Sequence, residues 1–436
     1  MELTQAPLGK LFRKYLFSSL GSAVIMSIYA FVDAIAVGQA EGPDGSAAMA
    51  VLNPLFGVLV FLALVVGIGG SVLMSAARGE GDRDEGDRWF SASMIVMGVV
   101  ALIVWVLFLT LHRPILRLFG ADEALMPLVM RYSRWLLGFS PLVIAAIFLA
   151  CFVRNDDDPG LAMRAVLIGG AFNILGDWLL VFPLGLGITG AAIATVVSNA
   201  IQTVVLCTHF LHKRCTLRLT RPGGLAARVG RIASIGFGAG MLDLANAVLF
   251  ALLNNQVMRY GGVVYLAVFG AVGTMSSLFQ SLFSGVGQAL QPIVSVNFGA
   301  KEHERVRGTL RYALTASLTL GVLFMLVGLC APKAVVRLFM HATPETLAAA
   351  GSVIRPYSFV YLFMAVNVTA TYFLQSTLRA KQATSVSLLR GLIVSGGMIL
   401  LLPLIFGLTG IWYAMPAEEL IVCILSLLWI RDKRSV

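Results

Sequence analysis

PLGLGITGAA, Pro183 to Ala192, returns as PLIFGLTGIW, Pro403 to Trp412, 220 residues further along the chain. Each copy joins two long apolar runs through a short link rich in glycine. A second pair keeps the same spacing: LRLFGADEAL from Leu116 and VRLFMHATPETL from Val336. A third, GIGGSVLMSAARGEGDRDE from Gly67, aligns with GVGQALQPIVSVNFGAKEH from Gly285 at a spacing of 218. One half of the chain repeats the plan of the other.

The composition says in what medium. Of 436 residues, 58% are hydrophobic and 12% charged, about half the charged share of a soluble domain. That leaves too little polar surface to cover a globule in water. Apolar segments long enough to cross a bilayer core, roughly 20 residues, fall at about 14–38, 47–74, 90–111, 132–153, 163–183, 188–210, 232–257, 263–290, 310–330, 352–375, 385–406 and 409–430. They are too long and too uniformly apolar for barrel strands, which alternate over about ten residues. An even number of spans in each repeat gives two copies of one orientation. The expected fold is an all-α polytopic membrane protein, with twelve transmembrane helices as two parallel six-helix lobes around a central cavity. The N-lobe spans 1–210, a cytoplasmic linker 211–231 and the C-lobe 232–436.

The net charge is +10, and its distribution explains it. With both termini inside, most of the 32 Lys and Arg fall in cytoplasmic loops and helix ends, Arg379 to Arg390 among them. The outside keeps Arg113, Arg117, Arg131, Arg134, Arg259, Lys333, Arg337 and Arg355. This is the positive-inside asymmetry, and no nucleic-acid partner is needed to account for it. The basic linker HKRCTLRLTRPGGLAARVGR, His212 to Arg231, reads as a solvated, topogenic loop. The five cysteines form no CxxC pair, so neither a disulfide framework nor a zinc site is signalled. No small-residue cleavage site follows the first apolar run, and no removable signal peptide is expected. GFGAG at Gly236 lies within a span without a preceding strand and reads as close helix packing. The histidines fall in loops or at helix ends, and no catalytic machinery is visible.

A charge at mid-membrane costs about 2.5–3.5 kcal/mol even on the lenient insertion scale, so those retained mark function. Asp33 and Asp177, in AFNILGDWLLVF (Ala171 to Phe182), are two such residues. With a rise of about 1.5 Å per residue, Asp33, Asp177 and Thr195 all lie roughly 8–10 Å below the outer surface. Asn173 is one turn deeper than Asp177 on the same face. Two carboxylates, an amide and a hydroxyl at one depth suit a proton or a hard cation such as Na+. Shifted by the repeat spacings, Asp33 falls on Ala251 and Asp177 on Gly397. The acids are not duplicated although the scaffold is, which points to a role special to the first half. In the second half Asp243, Glu418 and Asn367 form a candidate substrate or second polar site. The 26 Phe and 17 Met suit bulky apolar cations as ligands.

FVDAIAVGQAEGPDGSAAMAV from Phe31, NILGDWLLVF from Asn173, GLGITGAAIATVVSN from Gly185, LQPIVSVNFGA from Leu290 and FGLTGIW from Phe406 together resemble the multidrug and toxic compound extrusion (MATE) family. The similarity runs over nearly the whole chain, nearest to the bacterial branch of DNA-damage-inducible proteins and multidrug exporters. It implies alternating access and efflux of organic cations in exchange for H+ or Na+. It also implies a cation site of Asp33, Asn173, Asp177 and Thr195, and a seventh-helix acid at Asp243. Gly176 and Trp178 depart from the aliphatic residues or proline usual beside Asp177, and Asp156 to Asp158 lengthen a cytoplasmic turn with no mechanistic weight.

The expectation is thus a monomeric secondary antiporter of the bacterial inner (plasma) membrane, multi-pass, with N- and C-termini cytoplasmic. Its partners are small-molecule organic cations and membrane lipids. It is no enzyme and carries no cofactor beyond the coupling ion, H+ or Na+, nor any metal beyond Na+ at those four residues. Two alternatives stand beside it: a flippase of lipid-linked substrates from the wider superfamily, and a non-transporting scaffold or receptor. The flippase calls for arginine in the cavity, whereas the sequence shows carboxylates and no arginine at mid-depth.

Overall fold

The computed structural model of the chain describes residues 2–119, 121, 123, 125–212, 215–339 and 342–431. Side chains are described at these positions except 2, 30, 31, 34, 43, 46, 47, 50, 54, 242–248, 250, 251 and 263. Asp243 therefore lies outside the described side chains. Among the described residues the elements are helical: α1 (Glu2–Gln5), α2 (Leu8–Gly79), α3 (Arg83–Leu118), α4 (Met126–Gly138), α5 (Ser140–Asn155), α6 (Pro159–Val181), α7 (Ile188–Cys207), α8 (Leu225–Gly299), α9 (His303–Cys330), α10 (Pro332–Phe339), α11 (Pro344–Tyr357), α12 (Val360–Ser376), α13 (Ala380–Leu388) and α14 (Val394–Arg431). A 3-10 turn, Thr208–Leu211, follows α7, and a π turn, Leu389–Ile393, joins α13 to α14.

At about 1.5 Å per residue, the 72 residues of α2 and 75 of α8 are far too long for one crossing. Each is broken by a glycine with positive φ, Gly42 (φ 65°) and Gly262 (φ 75°). Asn297 donates to the Leu3 carbonyl at 3.0 Å, while nearby Gly299 packs on the Ala76 carbonyl. The two ends of α2 therefore share one end of the molecule, and the helix doubles back at Gly42. Gly407 (φ 58°) divides α14 in the same way, as Gly187 (φ 54°) ends the link between α6 and α7. Bends of 52° and 41° leave α4–α5 and α11–α12 as one crossing each. Counted with these breaks, the described residues make twelve crossings, six in α2–α7 and six in α8–α14. Leu109, Leu326, Leu404 and Ile405 are among the exposed large apolar side chains, an outer surface made for lipid rather than water.

The breaks also correct the repeat register. Gly42 and Gly262, Gly187 and Gly407, and the helix ends Gly79 and Gly299 all stand 220 apart. The 218 spacing of the second span follows similar residues rather than equivalent backbone. On the structural register Asp33 matches Leu253, not Ala251. No acid is duplicated either way.

The lobes meet most closely between α2 and α8. A methyl group on Gly79 would collide with the Val296 carbonyl oxygen, and one on Gly299 with that of Ala76. These contacts are reciprocal on the 220 register. Gly69 faces the Ile232 carbonyl and Gly236 that of Val65 just as closely. Only glycine lets the backbones approach so far, as small residues do between membrane helices. This seam lies at the basic end of the bundle, where the loops after Gly79, Asn155 and Gly299 gather. Towards the middle the lobes part around a central cavity of about 630 Å3. Gly299→Ala is expected to overpack the seam and cost about 1–3 kcal/mol. Thermal melting of the purified protein in detergent reads it; an unchanged Tm would show that the helices yield freely there.

Candidate functional site

The first polar cluster lies inside the N-lobe. Asp33 on α2, Asn173 and Asp177 on α6 and Thr195 on α7 are all buried, Asp177 completely. Tyr132 of α4 joins them. Its hydroxyl lies 3.5 Å from Asp33 Oδ2 and 3.5 Å from Thr195 Oγ1, and the Asn173 amide nitrogen lies 3.5 Å from the same Thr195 oxygen. Asp177 stands one helical turn from Asn173, within electrostatic reach of Asp33 and Tyr132. All three contacts are longer than ordinary hydrogen bonds. Asp33 Oδ1, Asn173 Oδ1 and both carboxylate oxygens of Asp177 have no donor at all. Four buried acceptors in one cluster lack the positive hydrogen or ion they need. The four residues singled out in the sequence thus converge. Tyr132 was not legible there, since no spacing ties a tyrosine of the fourth span to acids on the first and fifth.

The second cluster is built differently. Asn367 of α12 donates to Glu419 Oε2 at 2.7 Å and to its backbone carbonyl at 2.9 Å, while Ser426 donates to Asn367 Oδ1 at 3.0 Å. Glu419 in turn pairs with Arg390, Nε to Oε1 at 2.6 Å, and Arg390 Nη2 donates to Gln280 Oε1 at 3.2 Å. The partner of Asn367 is therefore Glu419, not Glu418. Glu418, also fully buried, has no donor on either carboxylate oxygen. Arg390 is not part of a solvated helix end, where the charge count put it. It is 4% exposed and sits in the π turn, a distortion that re-aims side chains at functional places in helices. Its carboxylate partner makes that burial tolerable.

The first cluster does not line the central cavity, and the second reaches it only through Gln280. Its wall is drawn from both lobes, with Met26, Met364 and Met415 among the apolar residues and Gln202, Gln280 and Gln291 among the polar ones. Arg154, at the end of α5, lines it too, 7% exposed. The expectation of no arginine at mid-depth is thus wrong for Arg390, which pairs with Glu419 inside the spans, while Arg154 stays at the helix end where the charge count put it and still reaches the cavity. Among the described residues no carboxylate lines this cavity.

At the basic end, Asp156 is a hub rather than an idle member of an acidic turn. Its Oδ1 meets Arg78 Nη1 at 2.6 Å and the Thr216 hydroxyl; its Oδ2 accepts from the Thr216 N–H at 2.9 Å and from His209 Nε2 at 2.7 Å. Ligand atoms of Asp156, His209 and Cys215 lie within 4.8 Å of one another. A metal would have to displace those donors, so the cluster reads as a clamp. It fastens the linker, as do Thr220 N–H on Ser91 at 2.8 Å and Arg228 on Glu85 at 2.7 and 2.9 Å. The linker is laced to the N-lobe, not freely solvated.

Burial alone would raise the Asp156 carboxyl, but the His209 and Thr216 hydrogen bonds and the Arg78 charge outweigh it and hold it below its ordinary value. A depressed carboxyl stabilises the fold above its unfolded value, about 4, and that contribution is lost as pH falls through the folded value. Asp156→Asn is therefore expected to melt lower than the native chain at neutral pH, with the gap closing below about pH 4. A gap independent of pH would contradict this. Arg390→Ala strands the buried Glu419 carboxylate and is expected to cost about 3–5 kcal/mol in the same assay. Adding Glu419→Gln should recover part of the loss.

Two six-span lobes around a cavity, with acids buried off its axis, define a multi-pass membrane transporter. A family model described as MatE matches residues 19–179 and 241–396, and the chain belongs to that family. The Multidrug export protein MepA of Staphylococcus haemolyticus is 23% identical over 415 residues, covering 95% of this chain and 91% of the relative. A structure described as the outward-facing conformation of a multidrug resistance MATE family transporter of the MOP superfamily superposes with a TM-score of 0.91 at 20% identity, covering 99% of this chain and 96% of that one. The MATE multidrug transporter DinF-BH in complex with the dye rhodamine 6G superposes with a TM-score of 0.89 at 27% identity, again over 99% and 96%.

Proposed function

We propose that the chain is a secondary active antiporter of the bacterial plasma membrane, exporting drug-like organic molecules in exchange for H+ or Na+ with both termini cytoplasmic. The carrying observation is the N-lobe cluster, with its four buried acceptor oxygens that no donor meets. A proton supplies a donor to one carboxylate; a sodium ion supplies a centre for several oxygens at once. Either removes a cost of burial in a medium that has no water to offer. The cluster ties the first span of α2 to α4, α6 and α7, so charging or neutralising it changes how tightly those helices hold together. Its counterparts in the other lobe, Leu253 and Gly397, hold no charge. The acids of this cluster thus stand in one lobe alone, as suits a device that reshapes one side of a shared cavity; Glu418, buried without a donor in the other lobe, does not match them on the repeat.

The expected preference for organic cations finds no carboxylate in the cavity wall among the described residues. The apolar body of a drug does find a fitting place, in a cavity within the usual range of ligand sites. The test is fluorescence of rhodamine 6G, the dye carried by the DinF-BH complex, in proteoliposomes under an imposed pH or sodium gradient. Native protein should move dye under one gradient. Asp33→Asn and Asp177→Asn should fall to the level of protein-free vesicles while the purified variants still bind dye. Coupled movement retained in both variants would overturn the proposal.

A further inference from the structure

The cavity and the N-lobe cluster lack opposite things. In the cluster, acceptors have no donors; in the cavity wall, donors have no acceptors. Arg154 Nε is buried without a partner, and the ionisable groups that Arg154 senses are Cys151, Tyr372 and Tyr15, none of them a carboxylate. Gln291, 2% exposed, has a buried amide nitrogen without an acceptor. Gln280 gives its amide oxygen to Arg390, which leaves its NH2 as the group it can offer elsewhere. A guanidinium held in a largely apolar wall with no counter-charge is costly unless an anion meets it. Arginine is also the side chain best shaped to grip a carboxylate, sulfonate or phosphate.

We propose that the central cavity binds amphipathic molecules carrying an anionic group, that Arg154 is its anchor, and that glutamine amides of the wall support it. The methionines and tyrosines of the wall take the apolar body, and about 630 Å3 holds a drug-sized one. The proposal names the substrate class for the exporter proposed above and rests on that reading. It concerns binding alone, so it is tested without any gradient, and failure of coupling through Asp33 and Asp177 leaves it untouched.

The probes are rhodamine 6G and its de-esterified free acid, which share one xanthene body and differ by a carboxylate. Equilibrium dialysis against the purified full chain in detergent gives both affinities. The free acid is expected to bind the native protein at least about tenfold more tightly than the ester, or about 1.4 kcal/mol. Arg154→Gln should abolish that preference while leaving ester binding in place, which also reports that the variant is folded. Arg154→Lys should keep most of it. A phosphatidylglycerol titration against bound free acid separates the sources of the anion: failure to compete supports a small amphipath, and full displacement at equal concentration would overturn that assignment in favour of a lipid headgroup. An ester that binds native protein as tightly as the acid, or a preference that survives Arg154→Gln, would overturn the proposal outright.

Discussion

Backbone touching backbone between α2 and α8 holds the two lobes in one molecule. Gly79 against Val296 and Gly299 against Ala76 bring the helices together where no side chain intervenes. Contacts of this kind draw on dispersion and weak Cα–H···O bonds, individually small and summed along the seam. Because the approach is closest at the basic end, the helices diverge from there and leave the cavity between them. The seam contains no ionisable group among these contacts. Titration elsewhere must therefore reach it through helix position rather than through charge.

Away from the seam, the interior obeys the rule that a polar atom without water needs a partner. The C-lobe cluster satisfies it along one chain of bonds, Arg390, Glu419, Asn367, Ser426 and Gln280, and leaves the Glu418 carboxylate beside that chain without a donor. The N-lobe cluster and the cavity wall do not. One is short of positive hydrogen and the other of negative oxygen, and the two lie in separate compartments. An ion and an organic anion of opposite sign would each find its own deficit, without competing for one spot.

Spans, repeat and buried acids were legible because each is a property of long stretches or of a charge where none belongs. Asp33, Asn173, Asp177 and Thr195 converge because depth in a membrane can be counted from the chain. Tyr132 escaped that count, being one polar hydroxyl on a helix whose nearby charges, Arg131 and Arg134, read as an outer helix end. Arg390 was misplaced because loop arginines and buried ones look alike until the partner is known. Glu419 lies 29 residues away, and the π turn that aims the guanidinium inward has no sequence signature. The register slipped by two for a similar reason: identities near Gly67 and Gly285 follow side-chain likeness, whereas the helix ends and positive-φ glycines follow the backbone.

The clamp at Asp156 bears on where the molecule divides as a machine. Thr216, Thr220 and Arg228 each bond to the first lobe, so the stretch up to the first turn of α8 travels with it. The mechanical boundary then lies inside α8, past Arg228, rather than in the loop that joins the repeats. The loop, for all its length, provides no slack. Rocking of one lobe against the other must be taken up as bending of a helix, which is stiff and stores the strain, and not as the swing of a tether.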